Sequence, residues 1–197
     1  LFLPEGYTPA GTNRWPLMLF LHGAGERGTN VQKVAAHGPP KIVKSMKDFP
    51  FILVSPQCPD GRTWRDEELL ALLDDVVAKH KVNTNRIYLT GLSMGGWQSL
   101  SIGMTHLDRF AWIGSFSGAV DEKEIQPALD DTAGTNAKLK LLWIACGEKD
   151  FLLERNHQLV ATLKAHGITH EWRQTPGDHS WPVWRNYLVT FVPRLFP

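Results

Sequence analysis

The chain has little of what would mark several large classes of protein. It has only two cysteines, Cys58 and Cys146, and neither stands in a C-x-x-C pair. Both adjoin apolar strand-like runs, where a cysteine ordinarily serves as a small buried hydrophobe. No H-E-x-x-H or comparable ligand spacing is present, so no metal or other cofactor is expected. Charge of one sign is also missing. The 21 Lys and Arg stand against 20 Asp and Glu, leaving a net charge of +1 and no basic surplus to neutralise a phosphate backbone. Nucleic acid is therefore not an expected partner. The longest apolar runs, 17–21 and 139–146, are strand-sized and far short of a membrane span. No charged segment followed by an apolar stretch marks a signal peptide, which leaves a secreted, periplasmic or cytoplasmic address open. The abrupt start, Leu-Phe-Leu-Pro, reads as the end of a strand, with an earlier strand or an export signal expected upstream.

What is present alternates. Short apolar runs at 17–21 (LMLFL), 51–54 (FILV), 86–90 (RIYLT), 110–116 and 141–146 (LLWIAC) predict strands, and 168–174 (ITHEWRQ) alternates with period two. Between them, 66–80 places Leu69, Leu72, Leu73, Val76 and Val77 on one helical face behind an acidic first turn. Residues 95–106, 154–166 and 181–192 predict further helices, with Gly167 as the stop after 154–166. Strands alternating with helices imply right-handed crossovers and an α/β fold, a mostly parallel sheet with helices on both sides. No repeat, low-complexity tract or linker breaks the pattern, so residues 1–197 are expected to form a single domain. In such sheets ligands sit at the carboxyl ends of the strands.

The run 86–90 leads into Gly91-Leu92-Ser93-Met94-Gly95, a G-x-S-x-G pentapeptide with strand before and helix after. That setting makes Ser93 a candidate nucleophile, held on a tight strand-to-helix turn with its hydroxyl exposed. A serine hydroxyl needs a base. His157 and His166 fall in a helical run and His170 in the alternating strand, whereas His179 follows that strand in a loop before a helix and is the candidate base. The acid is expected at a strand end between them. Asp150, after 141–146, is favoured, with Asp121 its main competitor; Glu148 shares its loop, and Asp178 is too close to His179 in sequence to reach the ring. The oxyanion hole calls for the N–H of Met94 and one from the glycine loop His22-Gly23-Ala24-Gly25, contributed by Ala24 or Gly25. His22 reads as a structural hydrogen-bonding residue of that loop, and Glu26 with Arg27 as a solvated pair. Among the eight tryptophans, Trp97, Trp181 and Trp64 stand beside the candidate site as an aromatic binding wall, with core packing the alternative for each. The stretch between Ser117 and Lys140 is too short for a sizeable lid, which favours short-chain or otherwise accessible esters.

With LFLHGAGERG (19–28), SPQCP (55–59), LTGLSMGG (89–96), ACGEKD (145–150) and GDHSWPVW (177–184) in this order, the chain resembles α/β-hydrolase carboxylesterases of the feruloyl esterase, acetylxylan esterase and polyhydroxybutyrate depolymerase branch. The resemblance implies the α/β-hydrolase fold, a serine esterase without cofactor, and Ser93, Asp150 and His179 as the triad. A small-molecule or polymer-linked ester is then the expected partner. A serine peptidase or acyltransferase using the same residues remains the alternative, and a non-catalytic binding module a more distant one.

Overall fold

The computed structural model describes residues 1–46 and 48–195. Six strands, β1 (Trp15–Leu21), β2 (Ile52–Val54), β3 (Val82–Leu92), β4 (Trp112–Phe116), β5 (Leu141–Gly147) and β6 (Glu171–Thr175), form one sheet in the order β2-β1-β3-β4-β5-β6. All five pairings are parallel. The helices are α1 (Gly38–Ile42), α2 (Asp66–Lys79), α3 (Met94–Thr105), α4 (Gln126–Asp130), α5 (Thr132–Lys138), α6 (Leu153–Ala165) and α7 (Trp181–Phe191). This is the α/β-hydrolase fold. Between β4 and β5 lie only a 3₁₀ turn and the short helices α4 and α5, so no large lid is inserted there.

Alternation in the strands sends side chains to two cores. Leu17, Leu19 and Leu21 of β1 face one core with α2, α3 and α6, whereas Met18 and Phe20 face the other with α7. Every residue of β5 is buried, which is why its sequence is a continuous apolar run. On the α7 side, Phe116, Trp143, Tyr187 and Phe191 meet edge-on or tilted, with ring centroids 5.4 to 5.8 Å apart.

The expected elements are all present, with shifted ends. The third strand begins four residues earlier than its apolar run, since Val82 pairs with Trp15 across an irregularity in the ladder. The last strand covers 171–175 rather than 168–174, leaving His170 in the preceding connection. Gly167 follows α6 at φ +68°, the left-handed conformation that glycine adopts cheaply at a helix end. Near the amino end, Phe2 pairs antiparallel with Leu53 of the edge strand, in keeping with its strand-like sequence.

Chain order and sheet order part at β1. After β2 the chain crosses to the opposite side of β1 to lay down β3, so the carboxyl ends of β1 and β3 diverge into loops on opposite sides of the sheet. Helix α3 starts at that crevice and is pressed hard into it. A Cβ on Gly95 would lie 2.0 Å from the Leu21 carbonyl oxygen, so only glycine lets the helix start so close to β1. We predict that Gly95→Ala destabilises the fold by about 2–3 kcal/mol, the cost of overpacking a rigid contact; an unchanged urea midpoint would show that the helix start is free to move.

Candidate active site

The turn between β3 and α3 holds Ser93 at φ 54°, ψ −117°, a backbone conformation that a non-glycine residue reaches only under constraint. Its N–H donates to the Phe116 carbonyl at the end of β4 (2.8 Å), and its carbonyl accepts from Trp97 N–H in the first turn of α3 (2.9 Å). The backbone is thereby fixed at both ends, and the hydroxyl stands at the carboxyl end of the sheet, lining the two cavities there.

His179 reaches Ser93 from the loop after β6. That loop is tied to the end of β5, because Glu148 N–H donates to Thr175 O and Lys149 N–H to Gly177 O, both at 2.8 Å. The imidazole Nε2 stands 2.8 Å from Ser93 Oγ, and Nδ1 stands 2.8 Å from Asp150 Oδ2 and 3.0 Å from Oδ1. An ionised carboxylate only accepts, so the proton belongs on Nδ1, and the Nε2 lone pair faces the serine hydroxyl. The Asp150 side chain is fully buried. Burial pushes its carboxyl up, but hydrogen bonds from His179, from Leu152 N–H (2.8 Å) and from Ser117 more than offset this, and the net shift is downward.

Asp121, the competing acid, lies elsewhere. It is paired with Arg155 at 2.8 Å and caps a short 3₁₀ turn with Glu124. Asp178 accepts from the Ser180 hydroxyl, and Glu148 is exposed. His157 and Gln174 meet at 2.7 Å, and His166 and His170 each bond a nearby carbonyl, away from Ser93.

Ala24 and Gly25 line a cavity of about 360 Å³ together with Ser93, His179 and Trp181. The loop that carries them is braced by His22, as its sequence implied: Nδ1 donates to Gly23 O (2.6 Å) while Nε2 accepts Cys58 N–H (3.0 Å). Burial holds the His22 ring below the ordinary histidine range, in keeping with a neutral imidazole using both nitrogens. Met94 opens α3, where its N–H is among those that no carbonyl of the same helix takes, and it lines a second cavity of about 450 Å³ with Ser93, Trp97, Phe151 and Arg155.

Two expectations need correction. Trp64 is not part of the wall: it is 5% exposed, its ring packs on His22 at 4.6 Å, and its backbone exchanges two 2.8 Å hydrogen bonds with the buried Gln98 amide. An indole so enclosed supports the loop from within. Nor do Glu26 and Arg27 form a solvated pair. Arg27 donates to Ala24 O and Arg62 O, while Glu26 is half-buried in the cavity of Ala24 and Gly25, where burial pushes its carboxyl up. Trp97 and Trp181, by contrast, do line the two cavities.

Three cavity residues escaped the sequence reading. His37 stacks on Trp181 at 5.3 Å, Phe151 is 75% exposed yet lies 4.4 Å from the His179 ring, and Arg155 closes the larger cavity. Only Phe151 carried a signal, an aromatic directly after the candidate acid.

The family model described as "Putative esterase" matches residues 1–195. The chain belongs to this esterase family. Similar proteins include an acetyl esterase from Caldicellulosiruptor saccharolyticus, 23% identical over 138 residues, covering 53% of this chain and 52% of its own. An endo-1,4-beta-xylanase/feruloyl esterase from Xylanibacter ruminicola is 26% identical over 217 aligned positions, covering all of this chain and 29% of its own. The chain thus spans about half or less of these two relatives. Among solved structures, a substrate-bound fluorophosphonate-binding serine hydrolase from Staphylococcus aureus superposes with a TM-score of 0.77 at 16% identity, over 99% of this chain and 91% of that one. Among the described residues of this esterase-family chain, no helix is long and apolar enough to cross a membrane, and no group of three or more His, Cys, Asp or Glu could hold a metal ion.

A carboxyl held below its usual range contributes stability above the unfolded-state value, about pH 4, and loses it as pH falls through the folded value. Asp150→Asn is therefore expected to melt below the parent at pH 7, with the gap narrowing toward pH 3. A gap independent of pH would contradict the charged, hydrogen-bonded Asp150.

Proposed function

We propose that the chain is a serine carboxylesterase that works through an acyl-enzyme, with Ser93 as nucleophile, His179 as general base and acid, and Asp150 as the orienting acid. The observation that carries this reading is the continuous hydrogen-bonded line from Ser93 Oγ through His179 to Asp150, with 2.8 Å on each side of the imidazole. As Ser93 Oγ attacks the ester carbonyl, its proton passes to His179 Nε2, and Asp150 stabilises the resulting imidazolium. The carbonyl oxygen, now negative, is received by Met94 N–H at the start of α3 and by an N–H of Ala24 or Gly25. Collapse of the tetrahedral adduct expels the alcohol, which takes the proton back from Nε2. Water, deprotonated by the same nitrogen, then attacks the acyl-enzyme and restores Ser93.

The two cavities on either side of Ser93 divide the substrate. The leaving oxygen must face His179 Nε2, so the cavity holding His179, Trp181 and Glu26 receives the alcohol. The larger cavity, walled by Trp97, Phe151 and Leu152, receives the acyl group. Neither is roofed by an inserted lid, which suits short acyl groups or an ester projecting from a bulky carrier. The acetyl and feruloyl esterases among the similar proteins fit that range.

With p-nitrophenyl acetate as substrate, Ser93→Ala is expected to lower kcat by roughly 10⁴-fold or more; turnover within a few-fold of the parent would overturn the proposal. In an ester panel, Trp97→Ala should change discrimination among acyl groups by roughly tenfold and leave alcohol preference alone, with Trp181→Ala doing the reverse. Equal effects of both substitutions on both series would reject the division of the two cavities.

A further inference from the structure

At the end of β4 the backbone does something unusual a second time. Ser117 sits at φ +51°, the only non-glycine residue besides Ser93 to do so among the described residues. It is fully buried. Its N–H donates to Ala145 O in β5 (2.7 Å), and a Cβ on the next residue, Gly118, would lie 2.2 Å from the backbone of Gly96 in α3. The chain is thus forced into the left-handed region here by its neighbours. Glycine would occupy that position at less cost, and the serine brings a hydroxyl in exchange for strain.

That hydroxyl has a definite setting. Trp184 Nε1–H donates to Ser117 Oγ at 2.9 Å, which occupies a lone pair and leaves the hydroxyl proton seeking an acceptor in a site without solvent. Two groups face it, the Asp150 carboxylate and the Cys146 sulfur. The fully buried carboxylate, which takes His179 Nδ1 and Leu152 N–H and has lone pairs to spare, is the stronger acceptor. The indole of Trp184 also stands edge-on to the His179 ring, 4.8 Å away at 87°. One tryptophan thus bears on the acid through Ser117 and on the base directly.

We propose that Ser117 and Trp184 are positioning residues for the reaction, forming a relay from Trp184 Nε1–H to Ser117 Oγ–H to the Asp150 carboxylate that keeps the acid ionised and aimed at His179. This rests on the esterase reading for its consequence in catalysis, but the relay itself acts on Asp150 whether or not an ester is present. Each bond in the chain polarises the next, so removing either member weakens the hold on the carboxylate. Other titratable groups face the same site. The Cys146 thiol of β5 and the Tyr187 phenol of α7 are each pushed up to about 12, chiefly by burial, and so stay neutral. Glu148 and Asp178 flank the site on exposed loop positions, and Glu26 and His37 share the cavity of His179. Of these, only the Cys146 thiol also hydrogen-bonds Asp150, and as a weak S–H donor it does not replace the Ser117 hydroxyl.

The test uses Ser117→Gly, Ser117→Ala and Trp184→Phe in the full chain. Glycine relieves the positive φ and alanine does not, so the two should differ in thermal midpoint while sharing the functional defect. Three readouts are compared: the thermal midpoint, the acid limb of kcat/KM for p-nitrophenyl acetate, and the titration of the Asp150 side-chain carbonyl carbon by NMR. Loss of a donor to the carboxylate raises its proton affinity, so the Asp150 midpoint and the acid limb should both move upward by about half a pH unit or more in both Ser117 variants. kcat/KM should fall about tenfold, and Trp184→Phe should shift both midpoints in the same direction by less. Asp150 titration unmoved in Ser117→Gly would overturn the relay, even if that variant lost activity or stability. A parent chain that turns over no ester would instead defeat the esterase reading, while the Asp150 titration would still decide for or against the relay.

Discussion

Helix α3 begins so close to the end of β1 that a single methyl group could not be placed between them, and the candidate site depends on that contact. Gly95 lies against the Leu21 carbonyl, with the Gly91 backbone packed on Gly95 in turn. With the helix starting this close, the turn before it is sharp and Ser93 stands at positive φ. The same closeness brings the Met94 N–H and the loop of Ala24 and Gly25 to the two sides of one serine. Glycine's absent side chain is here a geometric requirement of the site.

From that fixed point the sheet hands the geometry outward. Ser93 is bonded to the end of β4, Ser117 to the end of β5, and the β5 loop to the loop that carries His179. Each successive strand end is registered on its neighbour by one or two backbone hydrogen bonds. Asp150 and His179 therefore arrive within 2.8 Å of each other from separate loops. Burial alone would favour a protonated Asp150. The donors gathered around it reverse that balance and leave an acceptor able to fix the imidazole in one tautomer.

Much of this was legible in the sequence because strand ends in a parallel sheet are marked. Ser93 and Asp150 each follow an apolar run and His179 an alternating one, all three precede a helical run, and the fold makes those positions converge. His22 was readable as a structural residue from its place at the head of a glycine loop. What could not be read was which polar or aromatic residue in a loop turns inward. Trp64 and Trp97 look alike in sequence, yet Trp64 is enclosed by His22 and Gln98 while Trp97 faces the cleft. Glu26 turned away from Arg27 because the 3₁₀ turn at Ala24–Glu26 aims it into the cavity. Ser117 gave no sign at all, since its role depends on a backbone angle imposed by α3 and on a tryptophan far along the chain.

In the proposed reaction His179 and Asp150 single out the Ser93 hydroxyl for attack. Labelling with a fluorophosphonate, followed by peptide mapping in a mass spectrometer, tests this most directly. One adduct is expected, on Ser93, formed rapidly in the parent and roughly a hundredfold or more slowly in His179→Ala, as for loss of the base. An adduct on another residue, or labelling of Ser93 at the same rate without His179, would contradict it.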